Sequence, residues 1–287
     1  MSYVTRHRST RIGARELGEV FHTAAALVLD PAFTCELVPQ DGEMITARAK
    51  ALLETSGPSR VAVVTDAPGR TFEATECVAM AFGPGASERL DAVWFGRLSD
   101  RKRRDIDSWA DDRLRNTLRS GSQIVAVWSR VRDDHGPERN MTSPVAHQLI
   151  ELVSGLGSAP CLFGDRIEGV SSALDLRTLP LHSPFDCEDS LLAQLYLMKL
   201  LRTSYNLTRA IGAKSGAMDG HALLGLSTLS LVGSLPDELR MTKWVGPIPG
   251  YELSEARCLM KHASATEMTD DELSSVERFL GTSNVAR

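Results

Sequence analysis

The segment Ala210 to Gly233, AIGAKSGAMDGHALLGLSTLSLVG, gathers residue types suited to holding an anion. Its spacing predicts a strand ending at Gly212, a short loop Lys214-Ser215-Gly216-Ala217, and a helix beginning about Met218. Small side chains let a ligand approach the backbone, and the N–H groups of a helix start attract negative charge. Lys214 adds a charge there and Ser215 a hydroxyl. Asp219, in the first helical turn, either caps that turn or reaches a ligand hydroxyl. The plainer reading, that Gly216 and Asp219 only start a helix, stands beside it. The GxxxxGK(S/T) phosphate-loop pattern is absent.

A second segment, IVAVWSRVRDDHGPERN from Ile124 to Asn140, predicts a strand whose end delivers Arg130 and Arg132, followed by Asp133 and Asp134. A guanidinium suits a diphosphate because its charge is fixed and its donors are bidentate. The competing reading pairs these arginines on the surface with Asp133, Asp134 or Glu138. For proton transfer, Asp66 closes the run VAVVTD, where a carboxylate at a strand end faces a cleft. Asp66 also fits a simple turn with Pro68-Gly69. Glu19 and His22, on the first predicted helix, are further candidate bases, although a histidine there is also an ordinary packing residue.

Other chemistries lack their residues. His135 and His147 have no partners at metal-ligand spacing, and His182, Asp186 and Cys187 form only a loop cluster, so no metal is expected. There is no GxSxG elbow and no GxGxxG dinucleotide fingerprint. Trp94, Trp109, Trp128 and Trp244 are dispersed and predict no stacking platform. The five cysteines are scattered, with no CxxC pair, which fits a reducing compartment.

The elements that must position these residues follow from the hydrophobic pattern. The chain has 287 residues, 43% of them hydrophobic and 24% charged, enough for one large or two modest cores. Its net charge of −5 makes a nucleic-acid partner a poor expectation. No run approaches a membrane span, and the N-terminal MSYVTRHRSTR lacks a signal peptide's apolar core, so a cytoplasmic location is expected.

Helices are predicted over 15–29, 43–55 and 71–82. Strands are predicted at 35–38, in the β-branched run RVAVVTDA, and at 92–95. The stretch from Leu98 to Ser122 carries 12 charged residues and reads as a solvated helix or a linker. A second series begins at Gln123, with strands at 123–128, 160–163, 207–211 and 228–232. Its helices fall at 144–156, 191–205 and 218–224, and a last one is capped by Thr269-Asp-Asp-Glu. Alternating strand and helix is the pattern of βαβ units. Two such series predict an α/β chain with two Rossmann-like domains facing across a cleft. Residues 1–120 form an acceptor-side domain with the charged linker, and residues 121–287 form the ligand-binding domain. The last helix is placed to pack back on the first.

SGAMDGHALLGLSTLSL resembles the diphosphate-binding loop and following turn of GT-B glycosyltransferases, with Ser227 where proline is common. Arg130-Val-Arg132-Asp-Asp is similar to the strand-end Arg-Arg-Gly-Asp element of fucosyltransferase-like members, and RIGARELGEVFHTAAAL loosely resembles their Gly-rich opening turn without its asparagine. The resemblance implies an inverting, metal-independent transferase that takes a sugar from a GDP- or UDP-linked nucleotide sugar, as co-substrate and not cofactor, to a small-molecule or peptide acceptor. It places the donor against Arg130, Arg132, Lys214, Ser215, Gly216, Ala217 and Asp219, and the base at Asp66, Glu19 or His22. Two other expectations remain: a sugar-nucleotide epimerase, and a non-catalytic GT-B-like structural or interaction protein whose basic arm Arg6, His7, Arg8 and Arg11 touches anionic partners.

Overall fold

The computed structural model describes residues 9–40, 42–65, 72–115, 122–131, 140–177, 179, 183–235, 245–259 and 266–281. Two parallel sheets organise them. The first has three strands, β1 (Ser9–Gly13), β2 (Thr34–Val38) and β3 (Val61–Val63), in that spatial order. Helices α1 (Leu17–Leu29), α2 (Glu43–Ser56), α3 (Phe72–Ala81), α4 (Ala86–Gly96) and α5 (Asp100–Leu114) interleave with and follow them.

The second sheet contains β4 (Ile124–Ser129), β5 (Ala159–Gly164), β6 (Leu174–Asp175), β7 (Leu207–Ala213), β8 (Ser227–Val232) and β9 (Tyr251–Glu255). Its spatial order is β6-β5-β4-β7-β8-β9, all parallel. That is the doubly wound order in which the chain reverses direction across the sheet between β4 and β7. Helices α6 (Ser143–Gly155), α7 (Ser190–Ser204), α8 (Gly216–Leu223) and α9 (Asp270–Gly281) accompany it. This α/β, two-sheet arrangement is the one the resemblance implies.

Strand β4 shows why the second sheet reads as unbroken apolar runs. All six of its residues are buried, because helices cover both faces. Ile124, Ala126 and Trp128 point into a core completed by α5 and α7, whereas Val125 and Val127 point into one completed by α6 and α9.

Several expectations change. Residues 92–95 are not a strand but the last turns of α4, where Leu90 and Trp94, four apart, are both buried; Trp94 Nε1 donates to Ser56 Oγ at 2.9 Å. Four residues are too few to separate a period of 2 from one of 3.6. Among the described residues the run RVAVVTDA supplies β3, an edge strand whose Ala62 and Val63 are exposed and with which no fourth strand pairs. The charged stretch after Leu98 is α5, which buries Ile106, Ala110 and Leu114 against the second sheet's core. The last helix seats Val276 and Phe279 in the second sheet's other core, not on the first domain. Its start is a reciprocal capping box: Thr269 N donates to Glu272 Oε2 at 2.8 Å, and Glu272 N donates to Thr269 Oγ1 at 3.4 Å.

The halves join through α1 and α8. Gly18 and Gly216 bring the two helix starts into backbone contact, so closely that a Cβ on Gly216 would stand 2.3 Å from the Gly18 amide nitrogen. Beyond this crossing, Leu191, Leu192 and Leu195 of α7 and Ala222 and Leu223 of α8 complete the apolar core of the first sheet.

Candidate functional site

A cavity of about 840 Å³ lies between the two sheets. One wall comes from the first half: Ala14, Arg15 and Leu17 where β1 passes into α1, and Ile45 and Arg48 on α2. The other comes from the carboxyl ends of the second sheet's strands. Ser215 and Ala217 follow β7, Trp128 belongs to β4, Phe163 to Asp165 close β5, and Leu176, Arg177 and Leu179 follow β6. Ligands of open α/β sheets bind at this place, outside the strand ends where the winding reverses.

Charge and shape at the cavity favour an anion with a flat ring. Arg15, Arg48 and Arg177 line it, Arg48 paired with Asp186 and Arg177 with Asp175, and Asp165 is the one acidic residue among the described lining residues. Ser215 caps α8, its hydroxyl accepting from Ala217 N at 3.4 Å, so the positive end of that helix opens into the cavity. Trp128 and Phe163, partners in the β4–β5 register, stack with planes 4° apart and centroids 5.4 Å apart. Asp165 Oδ2 accepts from Val131 N at 2.9 Å. The preceding Gly164 has φ +86°, and a Cβ there would stand 2.0 Å from the Ser129 carbonyl oxygen, so glycine is required for the chain to cross the end of β4. Arg48 also ties the halves together: Nη2 donates to Asp186 Oδ1 at 3.2 Å and Nε to the Cys187 carbonyl at 3.3 Å.

Behind the Gly18–Gly216 crossing runs a buried polar chain. His22 Nε2 lies 3.3 Å from Asp219 Oδ2. Tyr251 OH donates to Asp219 Oδ1 at 2.6 Å and lies 3.1 Å from Ser230 Oγ. Burial, reinforced by the Asp219 charge, pushes the Tyr251 hydroxyl well above its ordinary range, so it stays a donor. His221, its ring 5.0 Å from that of Trp128, is pushed down to about 4 by burial, with the nearby Asp219 opposing the shift.

The residues singled out by sequence therefore separate into groups. Ser215 and Ala217 line the cavity, and Gly216 makes the helix crossing beside it. Lys214 and Arg130 sit at the ends of β7 and β4 without lining it, and Arg130 is buried. Asp219 is not a ligand-facing carboxylate, and His22 is not an open base, because each is buried against the other. Glu19 lies in the first turn of α1, one residue from the crossing. Asp66, Arg132 with Asp133, Asp134, His135 and Glu138, as well as His182, Trp244 and the arm at 6–8, fall outside the described residues.

Sequence spacing missed Arg15, Arg48, Arg177, Asp165 and Tyr251, as well as the buried Trp128–Phe163 pair. The usable signal for that pair was the parallel alignment of QIVAVW with APCLF, which sets the two rings side by side. Among the described residues no group of three or more His, Cys, Asp or Glu is placed to hold a metal, and no helix is long and apolar enough to cross a membrane.

No family model and no curated protein matches the chain. Among solved structures it is similar to the E. coli ADP-heptose LPS heptosyltransferase II, at 11% identity over 96% of this chain and 97% of that one, with a TM-score of 0.43. It is also similar to the E. coli heptosyltransferase WaaC with ADP, at 12% identity over 95% of this chain and 96% of that one, with a TM-score of 0.39.

Proposed function

We propose that the chain is a glycosyltransferase that moves a sugar from a GDP- or UDP-linked donor to a hydroxyl of a small-molecule or peptide acceptor, by inverting displacement without a metal. The observation that carries this reading is the place of the cavity. It opens where the winding of the second sheet reverses, and it joins the α8 start to three guanidiniums.

The donor diphosphate lies against Ser215 and Ala217, with Lys214 and Arg130 at the strand ends behind it. As the bond from the anomeric carbon to the diphosphate oxygen breaks, its electron pair leaves with the nucleoside diphosphate, and the positive surroundings stabilise that charge. The acceptor hydroxyl gives its proton to a carboxylate while its oxygen bonds the anomeric carbon from the opposite side. Of the bases considered, His22 is occupied by Asp219, whereas Glu19 is on α1 beside the crossing that borders the donor loop. The base of this proposal is Asp66, which closes the VAVVTD run, or Glu19.

The test is Ala217→Asp. A carboxylate in the first turn of a helix favours the helix, so the fold is expected to persist. The same carboxylate meets the diphosphate, and calorimetric titration should show micromolar affinity for UDP or GDP falling at least about tenfold. Absence of binding by wild-type protein to any nucleoside diphosphate, including ADP, overturns the proposal.

A further inference from the structure

Cys187 differs from the other four cysteines. Cys35, Cys77, Cys161 and Cys258 are buried, whereas Cys187 is half-buried in the segment before α7, between the exposed Asp186 and Glu188. Its Sγ lies 2.8 Å from Lys102 Nζ and 2.7 Å from Asp189 Oδ1, and those two groups pair with each other at 3.3 Å. The Pro184 carbonyl oxygen lies 3.3 Å from the same sulfur. Lys102, in the first turn of α5, is 85 residues away in sequence, and only the packing of α5 beside α7 brings its amine to the thiol. None of the three side chains lines the cavity between the sheets.

The donor and acceptor roles follow from the groups themselves. An ammonium only donates, so Lys102 donates to the sulfur; a carboxylate only accepts, so the thiol proton points at Asp189. Burial pushes the Cys187 thiol up, Asp189 adds to the shift and Lys102 opposes it, so the resting group keeps its proton. A protonated thiol is slow toward oxidants, because the thiolate is the nucleophile. Here the base that removes the proton is already hydrogen-bonded to it.

We propose that peroxide oxidation joins Cys187 to Lys102 through a sulfur–nitrogen bond, a reversible sulfenamide cross-link between α5 and the segment before α7. First, Asp189 takes the thiol proton and the sulfur attacks one peroxide oxygen. The S–O bond forms as the O–O bond breaks, and the departing hydroxide takes a proton from the Lys102 ammonium to become water. Sulfur is oxidised and peroxide reduced, which leaves a sulfenic acid beside a neutral amine. Then Nζ bonds the sulfur, the S–O bond breaks, and the leaving hydroxide takes a proton from the nitrogen to become a second water. Asp189 returns its proton to solvent. A sulfenic acid left alone meets a free thiol or oxidises further. The other four thiols are buried, whereas the Lys102 amine is already in contact with the sulfur. The cross-link bears on the cavity through Arg48, whose Nε and Nη2 hold the Cys187 carbonyl and Asp186.

The experiment treats the full chain with hydrogen peroxide, digests it without reductant and analyses the peptides by mass spectrometry. The expected product contains both Lys102 and Cys187 and is lighter than the sum of its two peptides by two hydrogen atoms. Dithiothreitol should return it to the free peptides, because a thiol reduces the S–N bond. Lys102→Arg keeps a cation against Asp189 but removes the amine. In that variant dimedone should capture Cys187 as a sulfenic acid at least about tenfold more than in wild type. A wild-type digest in which Cys187 appears only as the free thiol, as a sulfinic acid or in a disulfide between two chains overturns the proposal. So does equal dimedone capture in wild type and folded Lys102→Arg. Should that variant not fold, the cross-linked peptide of the wild type decides.

Discussion

Replacing Gly216 by alanine sets two effects of opposite sign against each other. In the first turn of α8, alanine normally favours a helix over glycine by up to about 1 kcal/mol. Here the new Cβ would stand 2.3 Å from the Gly18 amide nitrogen and 2.5 Å from its Cα. Carbon contacts settle at about 3.5–4.0 Å, so α1 and α8 must part by roughly 1 Å or more. Both obstructing atoms are backbone, and no rotamer change relieves them. Overpacking of this kind costs about 1–3 kcal/mol, which leaves a net loss of about 0–2 kcal/mol once the helix gain is subtracted. Gly155 in the last turn of α6 is the control, because a Cβ there meets nothing within 4 Å; Gly155→Ala should gain about 0.4–1 kcal/mol. Urea denaturation of the three proteins reads both signs from their midpoints. The displaced helix also carries Ser215 and Ala217, so nucleoside diphosphate affinity should fall with stability only in Gly216→Ala. If that variant gains stability as Gly155→Ala does, the close crossing of the two helices is refuted.

Acid stability tests His221. Its folded pKa of about 4 lies below the ordinary 6.5, so above pH 6.5 both states are neutral and nothing is lost. Between 6.5 and 4 the unfolded chain takes up a proton that the folded chain refuses, and stability falls as pH falls. The loss across that window is roughly 3 kcal/mol. His221→Phe should remove that part of the slope in denaturant titrations run from pH 7 to 4; an unchanged slope would show that the buried ring does not set it. Tyr251→Phe removes the hydroxyl that donates to Asp219 and leaves a buried carboxylate oxygen short of a donor, which should cost about 1–3 kcal/mol at pH 7. Chemical denaturation measures it, and a loss under 0.5 kcal/mol, the usual range for an inconsequential site, would contradict the role given to that bond.

Much of the second sheet was legible because β4, β7 and β8 are covered on both faces and therefore read as apolar runs between turn residues. The loop at Lys214 to Ala217 was legible for the same reason: a buried strand, small residues and a helix start follow one another without interruption. The first sheet was harder. β1, STRIG, has a single large apolar side chain and no alternation, and β9, YELSE in the second sheet, alternates over too short a span to stand out. Asp219 looked like a ligand carboxylate because it occupies a first helical turn. Its partner His22 lies on α1 and its partner Tyr251 on β9, so only the packing of distant elements decides that it faces inward. Arg48 and Arg177 carry no local pattern that marks them; the cavity is what gives them a common address.

The shared core beneath the first sheet has a consequence for synthesis. Ala24 to Leu27 of α1 are translated early, but Leu191, Leu195, Ala222 and Leu223, which help to cover that core, come from residues 191–223. At about 5–20 residues per second, the Ala- and Leu-rich side of α1 waits about 10–40 s on the ribosome for its partners. The nascent first half thus carries an adhesive surface through most of its elongation, and a stop codon anywhere before α7 would leave a fragment suited to chaperone capture and degradation.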